Sequence, residues 1–446
     1  MSAPLETLLR DARIDLVLAR IEKNPAIIEE IINHLDSEIR SIRFNSILVL
    51  GELGEKSEIA VSKLTECLED DDWSICREAA KAVGKIGNIA REATSSLTKL
   101  LQNEEDSIRK EVAIALGKIG HPSRELIVGL IYTLKDKNEE VQTEAVNALG
   151  EIGSDEYDVV SNLMKCLKDV SWSVRSAAAK AISKIGKESE KAIPTLIDAL
   201  NDEDWRVRYK VIGTLSQMGE IAVPELLKAL KHKKKMIRKG VIETLGELRI
   251  PDEKIIENLS LCLQDKNHHV RSKAADALHN IGKAAIPYII KAMKNSNKTM
   301  KILLISMIGL MNIDAIEAIP DLIEYLKDEG TAVRVEASRA LGKIAIDSEE
   351  ASNALSEILT DSNKRVRREA ALALGKIGSA AKVAIPRLIN LLMDKKPDVR
   401  WRASEALGLI GVDSEEVISN LNNLIHDKCD YVCESAIHAI DILTEK

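Results

Sequence analysis

One apolar anchor, Val or Ile and once Met, returns thirteen times along the chain: Ile42, Ile75, Ile108, Val141, Val174, Val207, Ile237, Val270, Met300, Val333, Val366, Val399 and Val432. The interval is 33 residues in all but two cases, Val207 to Ile237 and Val270 to Met300, where it is 30. A self-similar period of this length marks a stacked solenoid, whose units are too small to bury their own apolar faces and are stable only against neighbours. Repetition therefore overrides the prior of about three domains for a chain of this length. It predicts one continuous repeat domain, residues 24–446, behind an N-terminal capping region, residues 1–23. With packed helices about 8–10 Å apart, thirteen units predict a curved rod on the order of 120 Å long.

The unit from Ala192 to Gly219 shows why each repeat should be a helix pair. AIPTLIDAL carries apolar residues at helical spacing, with Pro194 early, where its missing N–H does least harm. The same proline, thirteen residues before the anchor, recurs as Pro224, Pro287, Pro320 and Pro386. A turn, NDEDW, follows, and the second helix places Val207, Val211, Ile212 and Leu215 on one stripe before Gly219 ends it. Gly-x-Ile-Gly, which closes many repeats, is read as a helix terminator rather than as a nucleotide-binding loop. Nothing alternates with the period of a strand, so the expected fold is all-α with two antiparallel helices per repeat.

Two charged positions keep the same register. Asp stands five residues before nine anchors (Asp70, Asp136, Asp169, Asp202, Asp265, Asp328, Asp361, Asp394, Asp427), and Arg stands one after nine (Arg43, Arg109, Arg175, Arg208, Arg238, Arg271, Arg334, Arg367, Arg400). The Asp is placed to accept N–H bonds where the second helix begins, and the Arg to reach a turn carboxylate of its own or the adjacent unit. A residue repeated along the whole stack serves the stack, so this series is read as structural.

Proline in the first helix, Asp in the turn and Val-Arg opening the second helix resemble HEAT repeats. The form DEDWRVR at 202–208, with the ending AALALGKIG at 370–378, is similar to the subclass named after phycobilisome lyases. The resemblance spans roughly residues 24 to 443. It implies an α-solenoid, or superhelix, of about thirteen helix pairs whose second helices line a concave face. For activity it implies only a range, from scaffolds to chaperone-like subunits and some enzymes, including lyase-like subunits acting on a protein-bound chromophore or cofactor.

In a repeat protein, function should lie where exposed positions depart from the consensus. On the second helices these are expected two, three, six and ten residues after each anchor. Three departures stand out. Trp73, Trp172 and Trp205 sit two residues before anchors, and Phe44, Tyr209 and Trp401 two after, in a chain that is only 2% aromatic. Trp172, Trp205, Arg206 and Tyr209 form the densest group, and Trp, Tyr and Arg dominate interface energetics. The alternative is that these rings pack on neighbouring turns. The second departure is charge. From Lys228 to Lys301 there are 17 Lys and Arg against 7 Asp and Glu, a net of +10, which leaves −18 for the rest of a chain of net charge −8. Lys233, Lys234, Lys235 and Arg238 are the core of this strip, which suits phosphate or an acidic protein tail, or is simply solvated. The third is apolar: Ile302, Leu303 and Leu310 occupy positions that are polar in most units, as a partner contact or a local repacking.

Other chemistry is sparse. Cys67, Cys166 and Cys262 stand eight residues before anchors, where other repeats carry Leu100, Ile358 and Leu391, and read as buried hydrophobes in a reducing cytoplasm. Cys429 and Cys433 would make at most half a metal site. The eight histidines are scattered, with no His-Glu pair of the kind that iron-binding hydroxylases of HEAT-like fold use. The start, MSAPLETLLRDARIDL, lacks the pattern of a secretory signal. The longest strongly apolar run, Ile302 to Met311, is ten residues, too short to cross a bilayer. The expectation is a non-catalytic scaffold, monomer or weak homodimer, without cofactor or metal, that binds a protein partner along its second helices. Nucleic-acid binding through the basic strip is the less favoured alternative.

Overall fold

Among the described residues of the computed structural model, 3–153 and 158–444, every regular element is helical. Two short helices, Leu5–Arg10 and Ile14–Lys23, pack on the first repeat, where the Asn45 side chain donates to the Leu9 carbonyl at 2.7 Å. Thirteen helix pairs follow, from Ile27–Asn33 with Arg40–Leu53 to Glu415–Leu424 with Asp430–Thr444. The chain forms two compact units, Met1–Val241 and Ile242–Lys446. In each, second helices lie closer together than first helices do, so the second-helix face is the inner one.

Repeat eleven shows how the sequence sets each element. The Asn363 side chain accepts the Arg365 N–H at 2.9 Å and caps Lys364–Ile377, which buries Val366, Ala370, Leu374 and Ile377 along one stripe. Gly378, at φ +80°, ends the helix in a conformation that other residues adopt only under strain. A short 3₁₀ segment, Gly378–Ala384, leads into the next first helix, Ile385–Leu391, with Pro386 in its first turn.

Reading Gly-x-Ile-Gly as a terminator holds only for the second glycine. The first, nine residues after the anchor, is inside the helix and faces an Ala seven residues after the next anchor: Gly84 on Ala115, Gly150 on Ala181, Gly342 on Ala373, and so on. A Cβ on these glycines would lie 2.8–3.1 Å from the facing Ala Cα. The second helices are therefore in backbone contact along a Gly–Ala seam, which the small-residue composition only hinted at. Ser183 with Thr214 is a variant of it in which the Thr214 hydroxyl donates to the Ala179 carbonyl at 2.9 Å.

Candidate functional site

The inner edge of the stack is built by the Asp and Arg series. Each Asp accepts the N–H of the residue two positions on, as Asp136 does from Asn138 at 2.9 Å, and so fixes the turn. Each Arg donates to carbonyls of its own turn, as Arg109 does to Asn103 and Glu104 at 2.8 Å. The remaining guanidinium nitrogens cross to the next repeat: Arg109 grips Asp136 in two bonds of 2.6 and 2.9 Å, and Arg175 grips Asp202 in bonds of 2.6 and 2.8 Å. The same bridge joins Arg334 to Asp361, Arg367 to Asp394 and Arg400 to Asp427, with a looser one from Arg43 to Asp70 at 3.3 Å. Both partners are largely buried. The Arg400 bond holds the Asp427 carboxyl below its usual range despite burial, and Asp427 in turn raises Arg400. Of the two options open in the sequence, Arg therefore takes both: its own turn by carbonyls, the neighbour by carboxylate.

One positional expectation needs correction. Residues three after the anchor are not exposed; Glu78, Glu336 and Glu369 are buried and the others are buried or half-buried. They point into the groove between adjacent second helices, where Arg339 reaches Glu369 at 3.5 Å and Lys273 reaches Glu243 at 3.3 Å. Helical rotation carries this position off the free face and onto the neighbour. Burial raises the Glu369 carboxyl, but Arg368 and Arg339 more than offset it and leave its pKa lowered.

The aromatic group is largely in water. Trp205 and Tyr209, one turn apart on Trp205–Met218, are 65% and 68% exposed, and Trp73 and Trp172 are also exposed. The structure joins Trp172 to Arg206 across repeats, with the guanidinium 3.5 Å from the ring centroid. Asp204 holds that guanidinium through bonds of 2.6 and 3.0 Å, and the Arg206 bond brings the Asp204 carboxyl to about 2. Arg77 stands 5.0 Å from the Trp73 ring. Trp401 differs: it is half-buried, edge-on to Tyr431 at 5.7 Å and with Arg402 3.7 Å from its ring. Exposed acids, Glu104, Glu105, Asp106, Glu139, Glu140 and Glu203, occupy the turns of the same edge.

Of the basic residues, Lys233, Lys234 and Lys235 are exposed on one turn. Arg238 is 5% exposed and lies beneath that turn, donating to the His232 and Lys233 carbonyls at 2.8 and 3.1 Å. Ile302 and Leu303 are half-buried, and Leu310 is exposed. Burial pushes the Cys67, Cys76 and Cys166 thiols up to about 11. No cluster of three or more His, Cys, Asp or Glu among the described residues could hold a metal ion, and Cys433 donates instead to the Asp427 carbonyl. Among the described residues, no helix is long and apolar enough to cross a membrane. The inner face of repeats two to five carries a polar cleft of about 650 Å³ that includes Arg91, Lys118, Glu144, Asn147 and Lys180. Sequence reasoning missed it because its residues come from four different repeats.

The sequence matches HEAT repeats in overlapping segments that run from residue 11 to residue 441. Among solved structures, Kap121p is similar, at 18% identity and a TM-score of 0.58, over 95% of this chain and 53% of that one. The karyopherin Kap121p bound to the extreme C-terminus of the protein phosphatase Cdc14p matches at 17% identity and a TM-score of 0.59, over the same shares. Kap121p bound to Nup53p matches at 16% and 0.58. The chain thus spans about half the length of these proteins, and the likeness shows the fold alone. Among curated proteins, none matches the sequence.

Proposed function

We propose that this chain, which belongs to the HEAT-repeat family, is a non-catalytic scaffold that binds a protein partner along the aromatic inner edge of repeats two to six. The observation that carries this reading is the group Trp172, Arg206, Trp205 and Tyr209. Each ring carries some 150–250 Å² that gains by burial, yet Trp205 and Tyr209 stand mostly in water. Arg206 is already oriented by Asp204, so a partner meets a preformed surface and loses less entropy in docking. The exposed acids in the flanking turns suit a segment that brings cationic side chains, which could also stack on the free rings. Kap121p, which shares the fold, is known bound to a C-terminal protein segment, and this supports the protein-binding use of such a stack. The phycobilisome-lyase-like form of the motif stays a resemblance, and no side-chain constellation above supports lyase chemistry.

Trp205→Ala with Tyr209→Ala is expected to weaken partner binding by about 2–4 kcal/mol with little change in melting. Co-purification followed by calorimetry on the recovered partner checks this; strong destabilisation with unchanged binding would show instead that the rings only pack.

A second reading rests on Lys233, Lys234 and Lys235, three exposed lysines on one turn. If they contact nucleic acid, replacing all three by Gln should make the slope of log affinity against log salt shallower by roughly 2–3. We expect no tight binding of random DNA or RNA at physiological salt, because the acidic remainder of the chain repels a long polyanion. A gel shift of sub-micromolar affinity would reverse the ranking.

A further inference from the structure

We propose that the joint between repeats eight and nine, inside the second unit, is a hinge: closed along the first helices and free to open along the second. Elsewhere in the stack neighbouring second helices are held by one or more of three kinds of contact, and all three occur together between repeats ten and eleven. These are the turn bridge from Arg to Asp, the groove pair seen in Arg339 with Glu369, and the Gly–Ala seam. All three are replaced at this joint.

Arg271 keeps the bond to its own turn, donating to the Asp265 carbonyl at 2.7 Å, but the next turn carries exposed Asn295 where nine of the thirteen repeats carry Asp. In the groove, register sets Leu303 opposite Asp276, which pairs back within its own helix to Lys273 at 3.9 Å. At the seam, His279 and Met307 stand in the glycine and alanine positions. The two side chains separate backbones that meet directly at other joints, and the His279 Nδ1 is buried without a hydrogen-bond partner. The helices follow the chemistry. His268–Ile281 and Lys298–Leu310 touch along little of their length, whereas Lys298–Leu310, Thr331–Ile344 and Lys364–Ile377 pack successively along theirs. The first helices of the joint, Glu253–Cys262 and Ile286–Lys294, stay packed as first helices do elsewhere.

The shortened interval from Val270 to Met300 falls at the same joint. The sequence couples these changes again in its other short interval, from Val207 to Ile237, where His232 replaces the Asp and Ser216 and Thr244 take the seam positions. Joints that lose only one feature, such as Gln142 in place of Arg beside the intact Gly150–Ala181 seam, keep full spacing. In the sequence, shortening therefore goes with replacement of both the bridge Asp and the seam Gly and Ala. The hinge varies the spacing of the half-buried Ile302 and Leu303 from the neighbouring repeat, and it does not rest on the aromatic edge being a partner site.

Spin-label distances test this in the full chain with Cys429 and Cys433 replaced by Ser. Labels at Asn280→Cys and Leu310→Cys, the same register in repeats eight and nine, report the joint. Labels at Lys343→Cys and Lys376→Cys report the fully bridged joint between repeats ten and eleven. The distance distribution across the first pair should be about twofold wider or more. Removing the bridge at the control joint with Asp361→Asn should widen the second. Equal widths in the unsubstituted joints would overturn the proposal, as would a control distribution that Asp361→Asn leaves unchanged. Circular dichroism confirms that each labelled chain is folded before its distances are compared.

Discussion

Arg109→Met is expected to destabilise repeats three and four by about 3–5 kcal/mol, because it leaves a buried carboxylate without its cation. Asp136 would keep only the Asn138 N–H, and the carbonyls of Asn103 and Glu104 would lose their shared donor. Removing both charges, with Arg109→Met and Asp136→Leu together, should recover much of the loss, since the pair's own desolvation disappears with it. A double-mutant cycle read by thermal melting and by hydrogen exchange at these repeats measures the coupling; simple additivity would show that the bridge contributes nothing beyond its parts. The same bridges set an acid limit. Arg400 depresses the Asp427 carboxyl, and at Asp136 burial is outweighed by Arg109, so that both have folded pKa values below the unfolded value of about 3.9. Their contribution is fully present above that value and is lost as pH falls through the folded pKa. Stability should hold from neutral pH to about 5 and drop below about 4, with Arg400→Gln flattening that drop. Unfolding midpoints across this range check the sign.

Gly342→Val should cost at least about 1–3 kcal/mol, because even a Cβ at that position lies 2.8 Å from the Ala373 Cα and 2.9 Å from its Cβ. Neither atom can move without shifting a helix. Gly213→Ala should have the opposite sign. Gly213 lies within Trp205–Met218 with nothing within 4 Å of a built Cβ, so the substitution should stabilise by up to about 1 kcal/mol. Paired melts of the two variants separate close packing from helix propensity; loss of stability in both would refute the assignment of glycine's role at the seam.

The sequence alone determined the repeat. Anchor spacing, Pro194 and its equivalents, and Gly219 and its equivalents are local signals, each acting through backbone preference or apolar periodicity within one unit, so the helix pairs were legible without coordinates. The Asp and Arg positions were legible as a series, but their bonding was not. A guanidinium at one anchor can reach either turn, and only the packed distance between repeats selects the carbonyls of its own turn together with the carboxylate of the next. The first glycine of Gly-x-Ile-Gly was misread for the same reason: what it excludes is a neighbour's backbone, 31 residues away in sequence for Gly84 and Gly117 alike. Exposure of the aromatic edge also needed the fold, since Tyr209 and Trp401 share one register, two residues after their anchors, but one stands in water and the other beside Tyr431 and Arg402. Helical phase decides whether a side chain points outward. Contact between successive repeats decides whether anything meets it there, and that is a property of the stack rather than of any repeat.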